Sequence, residues 1–131
     1  HAEAWTNLST ALLAVKDGDG AVEAAERAVR LTDRSLEALE VLGAALLGAR
    51  RFDAAHGVFS ELIAKRADAD AWNGLGVSLE RLGRVVEARD AYARAVSIDA
   101  GHTVAKLNHA ETLLLLGDFE NGWKAYQSRF A

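Results

Sequence analysis

The chain has no cysteine, no proline and no methionine, and only nine of its 131 residues are aromatic. Without cysteine there are no disulfides, thiolate metal sites or cysteine nucleophiles. Without proline there are no proline-rich linkers and few rigid loop corners. Scarce aromatics beside 27 alanines argue against a large β-sheet, because strands favour β-branched and aromatic side chains. No excess of positive charge is present either. The net charge of −4 and the pI near 5.5 argue against nucleic-acid binding, which needs a basic face. The longest apolar runs, such as Ala44–Leu47 and Leu113–Leu116, are far too short to insert in a membrane. No charged-then-apolar leader opens the chain, so cytoplasmic residence is expected. The missing initiator Met suggests a segment of something longer.

What is present is a repeat. Four stretches share one pattern: AWTNLSTALLAV from Ala4, ALEVLGAALLGA from Ala38, AWNGLGVSLERL from Ala71 and AKLNHAETLLLL from Ala105, at spacings of 34, 33 and 34. The second half of each unit recurs as well. Ala21, Ala55, Ala88 and Gly122 correspond, then Ala25, Phe59, Tyr92 and Tyr126, then Val29, Ile63, Val96 and Phe130. The units are 2–35, 36–68, 69–102 and a shortened 103–131, read together as a single domain.

Within the third unit, Trp72, Leu75, Gly76, Leu79 and Leu82 mark one face of a helix, and Val85, Ala88, Tyr92, Ala95 and Val96 mark another. Each unit therefore reads as helix, short turn, helix, giving an all-α protein of about eight helices. The turns are expected at Asp17-Gly18-Asp19-Gly20, Gly83 and Gly117-Asp118, and Ser35, Asp68 and Asp118 suit helix N-caps. Small residues recur at Ala4, Ala38, Ala71 and Ala105, and again at Ser9, Gly43, Gly76 and Ala110. There they would let helices approach closely, with a neighbour's large side chain filling the gap. Trp72 is expected to wedge between helices.

These residues resemble the tetratricopeptide repeat. The third unit matches best, through Trp72, Leu75, Gly76, Gly83, Ala88, Tyr92 and Ala95. Departures are Leu79 where tyrosine is usual, and Asp33, Ala67 and Ala100 where proline often closes a unit. His109 and Arg129 replace leucine and a small residue. The second unit is one residue short at Lys65–Asp68, which is expected to turn that junction differently. The run LLLLGDFENGWKAYQSRF also resembles the terminal repeat of bacterial proteins that join such arrays to glycosyltransferase-like domains. The resemblance implies a right-handed superhelical solenoid of antiparallel helix pairs, with first helices lining a concave groove.

It further implies a non-catalytic scaffold for a protein or peptide partner, with no cofactor. In the first unit the groove positions are Glu3, Thr6, Asn7 and Thr10, and in the second Glu37 and Glu40. In the third they are Asp70, Asn73, Val77 and Arg81, and in the fourth Asn108 and Glu111. Only Arg81 and Lys106, of fifteen basic residues, fall on first helices, against the six acids Glu3, Glu37, Glu40, Asp70, Glu80 and Glu111. A polar or basic extended peptide would suit that face, with asparagine side chains pairing to its backbone. An acidic tail would not, since repeats that capture one present lysine and arginine there. The alternative function is self-association, or service as an accessory module of a glycosyltransferase-like enzyme. Phe119, Trp123, Tyr126 and Phe130 form one apolar stripe. Packing on the partner helix would account for Phe119, Trp123 and Tyr126. Otherwise a following segment of the same polypeptide, or a second copy, would cover the stripe, and association with a second copy would make Phe119, Trp123 and Phe130 the contact residues.

No catalytic or metal constellation emerges. His56, Ser60 and Glu61 lack an oxyanion-stabilising loop. His102 and His109, seven apart near Glu111, are not a chelating pair. Asp17–Gly20 lacks the remaining ligands of a calcium loop. Gly74-Leu75-Gly76 sits inside a helix with no preceding strand, so it is no dinucleotide fingerprint. Asn7-Leu8-Ser9, formally a glycosylation sequon, reads as accidental on a helix.

Overall fold

The structure, a computed structural model, describes residues 1–128. Among them are eight helices and no strand: α1 (Ala2–Ala14), α2 (Gly18–Leu31), α3 (Leu36–Gly48), α4 (Phe52–Lys65), α5 (Ala69–Arg81), α6 (Val85–Ile98), α7 (Thr103–Leu115) and α8 (Phe119–Ser128). No described helix is long and apolar enough to cross a membrane. Phe130 lies outside the described residues.

The chain forms two compact units, His1–Lys65 and Arg66–Ala131, and the boundary falls in the segment where the repeat is one residue short. In the first, α2 packs on both α1 and α3, α3 packs on α4, and α1 lies beside α3. In the second, α6 packs on α5 and α7, and α7 packs on α8. Each unit is thus two helix hairpins stacked through the second helix of one and the first helix of the next.

The expected caps form. Ser35 Oγ accepts from the Ala38 amide, Asp68 Oδ1 from Ala71 and Asp118 Oδ1 from Asn121, each satisfying an amide that the helix leaves unpaired. The first turn differs from expectation, because α2 begins at Gly18 and takes Asp19 and Gly20 into its opening turn. Asp17 alone is the cap, accepting from the Gly20 amide at 3.0 Å. Gly18 is required by close approach: a Cβ there would sit 2.7 Å from Ala49 Cα.

The left-handed residue that ends each first helix is also not always glycine. It is Lys16 (φ 64°), Arg50 (φ 61°), Gly83 (φ 83°) and Gly117 (φ 85°). All four make the same pair of backbone bonds, shown by Lys16 N to Leu13 O at 3.0 Å and Asp17 N to Leu12 O at 2.8 Å. A side chain in this conformation costs about 1–2 kcal/mol, part of which is recovered through the less flexible unfolded chain. Lys16→Gly and Arg50→Gly should each stabilise the protein by about 0.5–1 kcal/mol in urea denaturation. A loss in both would show that the side chains hold these turns.

Small residues set the helix spacing. Ala21, Ala25, Ala28, Ala38, Ala45, Ala55, Ala88, Ala95, Ala105 and Ala110 are all buried, whereas Ala4 is exposed. Gly43 takes the ring of Phe59, where a Cβ would come within 2.8 Å of Cζ, and Gly76 takes the ring of Tyr92, which a Cβ would overlap. The first repeat replaces this glycine–aromatic pair with Ser9 and Ala25, both buried, and Ser9 Oγ donates to Ala21 O at 2.7 Å. Trp72 is only partly buried. It lies against the cluster of Leu79, Ala88, Ala91 and Tyr92 and also against that of Ala69, Ala95 and Ala105.

Ion pairs tie loops to helices. Arg34, itself left-handed at φ 60°, grips Glu61 through Nε and Nη2, with Nε 2.7 Å from Oε2, while its carbonyl accepts from Lys65 Nζ. That hydrogen bond from Arg34 holds the Glu61 carboxyl below its ordinary range. Arg51 reaches Asp19 at 2.8 Å.

Candidate functional site

In the first unit, Glu3, Asn7, Thr10, Glu37 and Glu40 are exposed on α1 and α3, and Thr6 is half-buried. The two threonines spend their protons on their own helix: Thr6 Oγ1 donates to Glu3 O and Thr10 Oγ1 to Thr6 O. Their oxygens are left as acceptors.

In the second unit, Asp70, Arg81 and Glu111 are exposed, while Asn73, Val77 and Asn108 are half-buried. Asn108 Nδ2 donates to Asn73 Oδ1 at 3.1 Å, joining α7 to α5. This bond occupies one donor and one acceptor. It leaves Asn73 with its amide protons and Asn108 with its carbonyl oxygen, the two complements of a peptide backbone.

Glu80 and Asp70, both acids of first helices, have partners inside the protein. Glu80 accepts from the Tyr92 hydroxyl at 2.8 Å, and burial together with that bond raises the Tyr92 pKa, so the phenol stays a neutral donor. Asp70 Oδ1 lies 2.7 Å from His102 Nε2. His102 Nδ1 accepts from the Ala105 amide, so its proton sits on Nε2 and is donated to Asp70. His102 was not expected in this role. The signal was its place in the capping series Ser35, Asp68, His102, each one repeat apart.

His109 stands half-buried where the repeat prefers leucine. Burial, with Arg89 nearby, lowers its pKa from the ordinary 6.5. The unfolded chain then binds a proton that the folded chain refuses. Stability is full above pH 6.5 and falls as the pH drops through that value toward the lower folded one. Replacing His109 by Leu should reduce this loss, read as a smaller shift in urea midpoint between about pH 7.5 and 5.5. An unchanged shift would contradict it.

Among the described residues no three histidine or acidic side chains gather as a metal site would. Arginines instead cover tryptophans at one spacing in two repeats: Arg27 lies 4.8 Å from the Trp5 ring centre and Arg94 5.1 Å from that of Trp72. The sequence carried this as Trp followed 22 residues later by Arg, a spacing the periodicity alone did not single out. On α8, Tyr126 is half-buried, but Phe119 and Trp123 are exposed. Packing on the partner helix therefore does not account for those two.

Residues 40–103 match a family model described as Tetratricopeptide repeat. No curated protein matches the chain in sequence. Among solved structures, MamA from Desulfovibrio magneticus RS-1 is 20% identical with a TM-score of 0.87, covering 99% of this chain and 74% of that one. Another MamA crystal structure is 24% identical with a TM-score of 0.85, covering 99% and 77%. A thermophilic TPR protein of Thermus thermophilus is 18% identical with a TM-score of 0.88, covering 98% and 73%.

Proposed function

We propose that this chain, a member of the tetratricopeptide repeat family, is a non-catalytic protein-interaction scaffold whose first helices hold a polar or basic extended peptide. The observation that carries this reading is the placement of charge. The first helices bear six acids and two bases, a net −4 that equals the net charge of the whole chain, while the remaining acids and bases balance. A basic segment is drawn to these helices by their field. The Asn73–Asn108 pair supports the same reading, since its open donor and acceptor match an extended backbone.

Selection from a random peptide library tests it. Recovered ligands should be enriched in lysine and arginine, and should weaken on Asn73→Ala and Asn108→Ala. Ligands that are acidic or indifferent to both substitutions would overturn the reading.

A further inference from the structure

His102 makes two contacts that together demand one protonation state. Its Nδ1 accepts from the Ala105 amide at 3.0 Å and so caps α7, while Nε2 donates to Asp70 Oδ1 at 2.7 Å. The imidazole side chain is only 16% exposed, whereas the Asp70 side chain that it holds is 86% exposed on α5. An enclosed ring is thus tied to an open acid of the candidate face. Asp17, Ser35, Asp68 and Asp118 cap other helices through oxygen, which cannot become a cation.

Histidine is the side chain type that changes charge near neutral pH. A second proton can enter this ring only at Nδ1, because Nε2 already carries one. Nδ1 then ceases to accept. Its new N–H faces the Ala105 N–H, donor against donor, at the positive end of the α7 dipole. Asp70 pulls the other way and keeps the cation through Nε2. Protonation therefore exchanges a capped α7 beside an anionic Asp70 for an uncapped α7 beside a neutralised pair.

The other charged neighbours do not replace Asp70. Asp99, which closes α6, accepts from the His102 amide through its carbonyl, and its carboxylate is taken by the Gly101 amide. Asp68, which caps α5, is committed to the Ala71 amide and to Arg66. Lys106, one turn along α7, donates its amide to the His102 carbonyl.

We propose that His102 couples the peptide-binding face to pH. The coupling rests on the scaffold reading above, in which Asp70 is one of the acids that attract a basic peptide. His102 is a positioning residue, acting on the peptide through Asp70. While the ring is neutral, it orients the carboxylate and leaves its charge intact. Once protonated, it cancels that charge and stands as a rival to the peptide's own lysine. A basic peptide is held when the ring is neutral and released when it is charged. By reciprocity, the bound peptide favours loss of the proton from the ring.

Fluorescence anisotropy with the labelled lysine–serine peptide, at about pH 7.5 and about pH 5.5 and at constant ionic strength, tests the coupling. Affinity should fall about three- to tenfold on acidification, the effect of one added charge near the bound lysine. His102→Asn keeps an N-cap side chain but cannot titrate, so its affinity should be the same at both values. His109→Leu removes the other histidine of α7 and should leave the dependence in place. Nuclear magnetic resonance gives a readout without peptide: the Ala105 amide should shift in step with the His102 ring. An equal fall in wild type and His102→Asn, or an Ala105 amide that ignores the ring, would overturn the coupling and leave the scaffold reading standing. No binding at either pH would overturn the scaffold reading, and the coupling with it.

Discussion

Replacing Tyr92 by Ala should lower the unfolding free energy by about 3–5 kcal/mol, the largest loss expected from any single change in the chain. Among the described residues Tyr92 is the largest fully buried side chain. Its ring fills the space that Gly76 leaves on α5, it joins Leu79, Ala88 and Ala91 in one cluster, and its hydroxyl is held by Glu80. Truncation removes the ring and leaves a cavity bounded by helices that cannot close on it, because the α5–α6 turn fixes their spacing. Tyr92→Phe should cost far less, about 1 kcal/mol, since only the bond to a solvent-facing carboxylate is lost. Urea denaturation followed by circular dichroism reads both. A loss under about 1 kcal/mol for Tyr92→Ala would mean the ring is not a packing element.

The second large effect comes from adding one carbon. Gly76→Ala should destabilise by about 1–3 kcal/mol, although alanine is the better helix former by about 1 kcal/mol. The added methyl would overlap the Tyr92 ring, which is enclosed and cannot withdraw. Gly57→Ala on α4 is the control. Nothing lies within 4 Å of a Cβ there, so the propensity gain of about 0.5–1 kcal/mol should appear undiminished. The first repeat suggests a rescue. It carries Ser9 and Ala25 at the positions of Gly76 and Tyr92. Gly76→Ser combined with Tyr92→Ala copies that pair, and its cost should fall below the sum of the single changes by about 0.5–3 kcal/mol. Strict additivity would deny that the two side chains share one space.

This pair shows why so much of the fold was legible in the sequence. Helix positions, caps and the exchange of small for large residues all follow from local periodicity, and four copies repeat the message. Ser35, Asp68 and Asp118 could be assigned as caps because the Asp or Ser stands just before an apolar period. What stayed hidden were departures from the repeat. Lys16 and Arg50 adopt a left-handed conformation that their side chains do not favour, because the surrounding turn dictates it. His102 caps a helix with an imidazole, a role that residue type alone does not suggest. The candidate face was legible in its charge but not in its pairing. Nothing in the spacing of Asp70, Asn73 and Asn108 told which of them bond to the protein and which remain for a ligand. The exposure of Phe119 and Trp123 likewise depends on which side of α8 meets α7, a tertiary quantity.

If the first-helix acids, and not the net charge, attract a partner, then where charge is removed should matter more than how much. Fluorescence anisotropy with a labelled, unstructured peptide of alternating lysine and serine reads this. One variant converts Glu3, Glu37, Glu40 and Glu111 to glutamine. Its control converts four acids of the second helices, Glu23, Glu26, Asp53 and Asp90, to their amides, giving the same net charge. The first variant should lose peptide binding while the control keeps it, with binding that falls as salt rises. Equal loss in both, or loss only in the control, would show that the first helices do not hold the peptide.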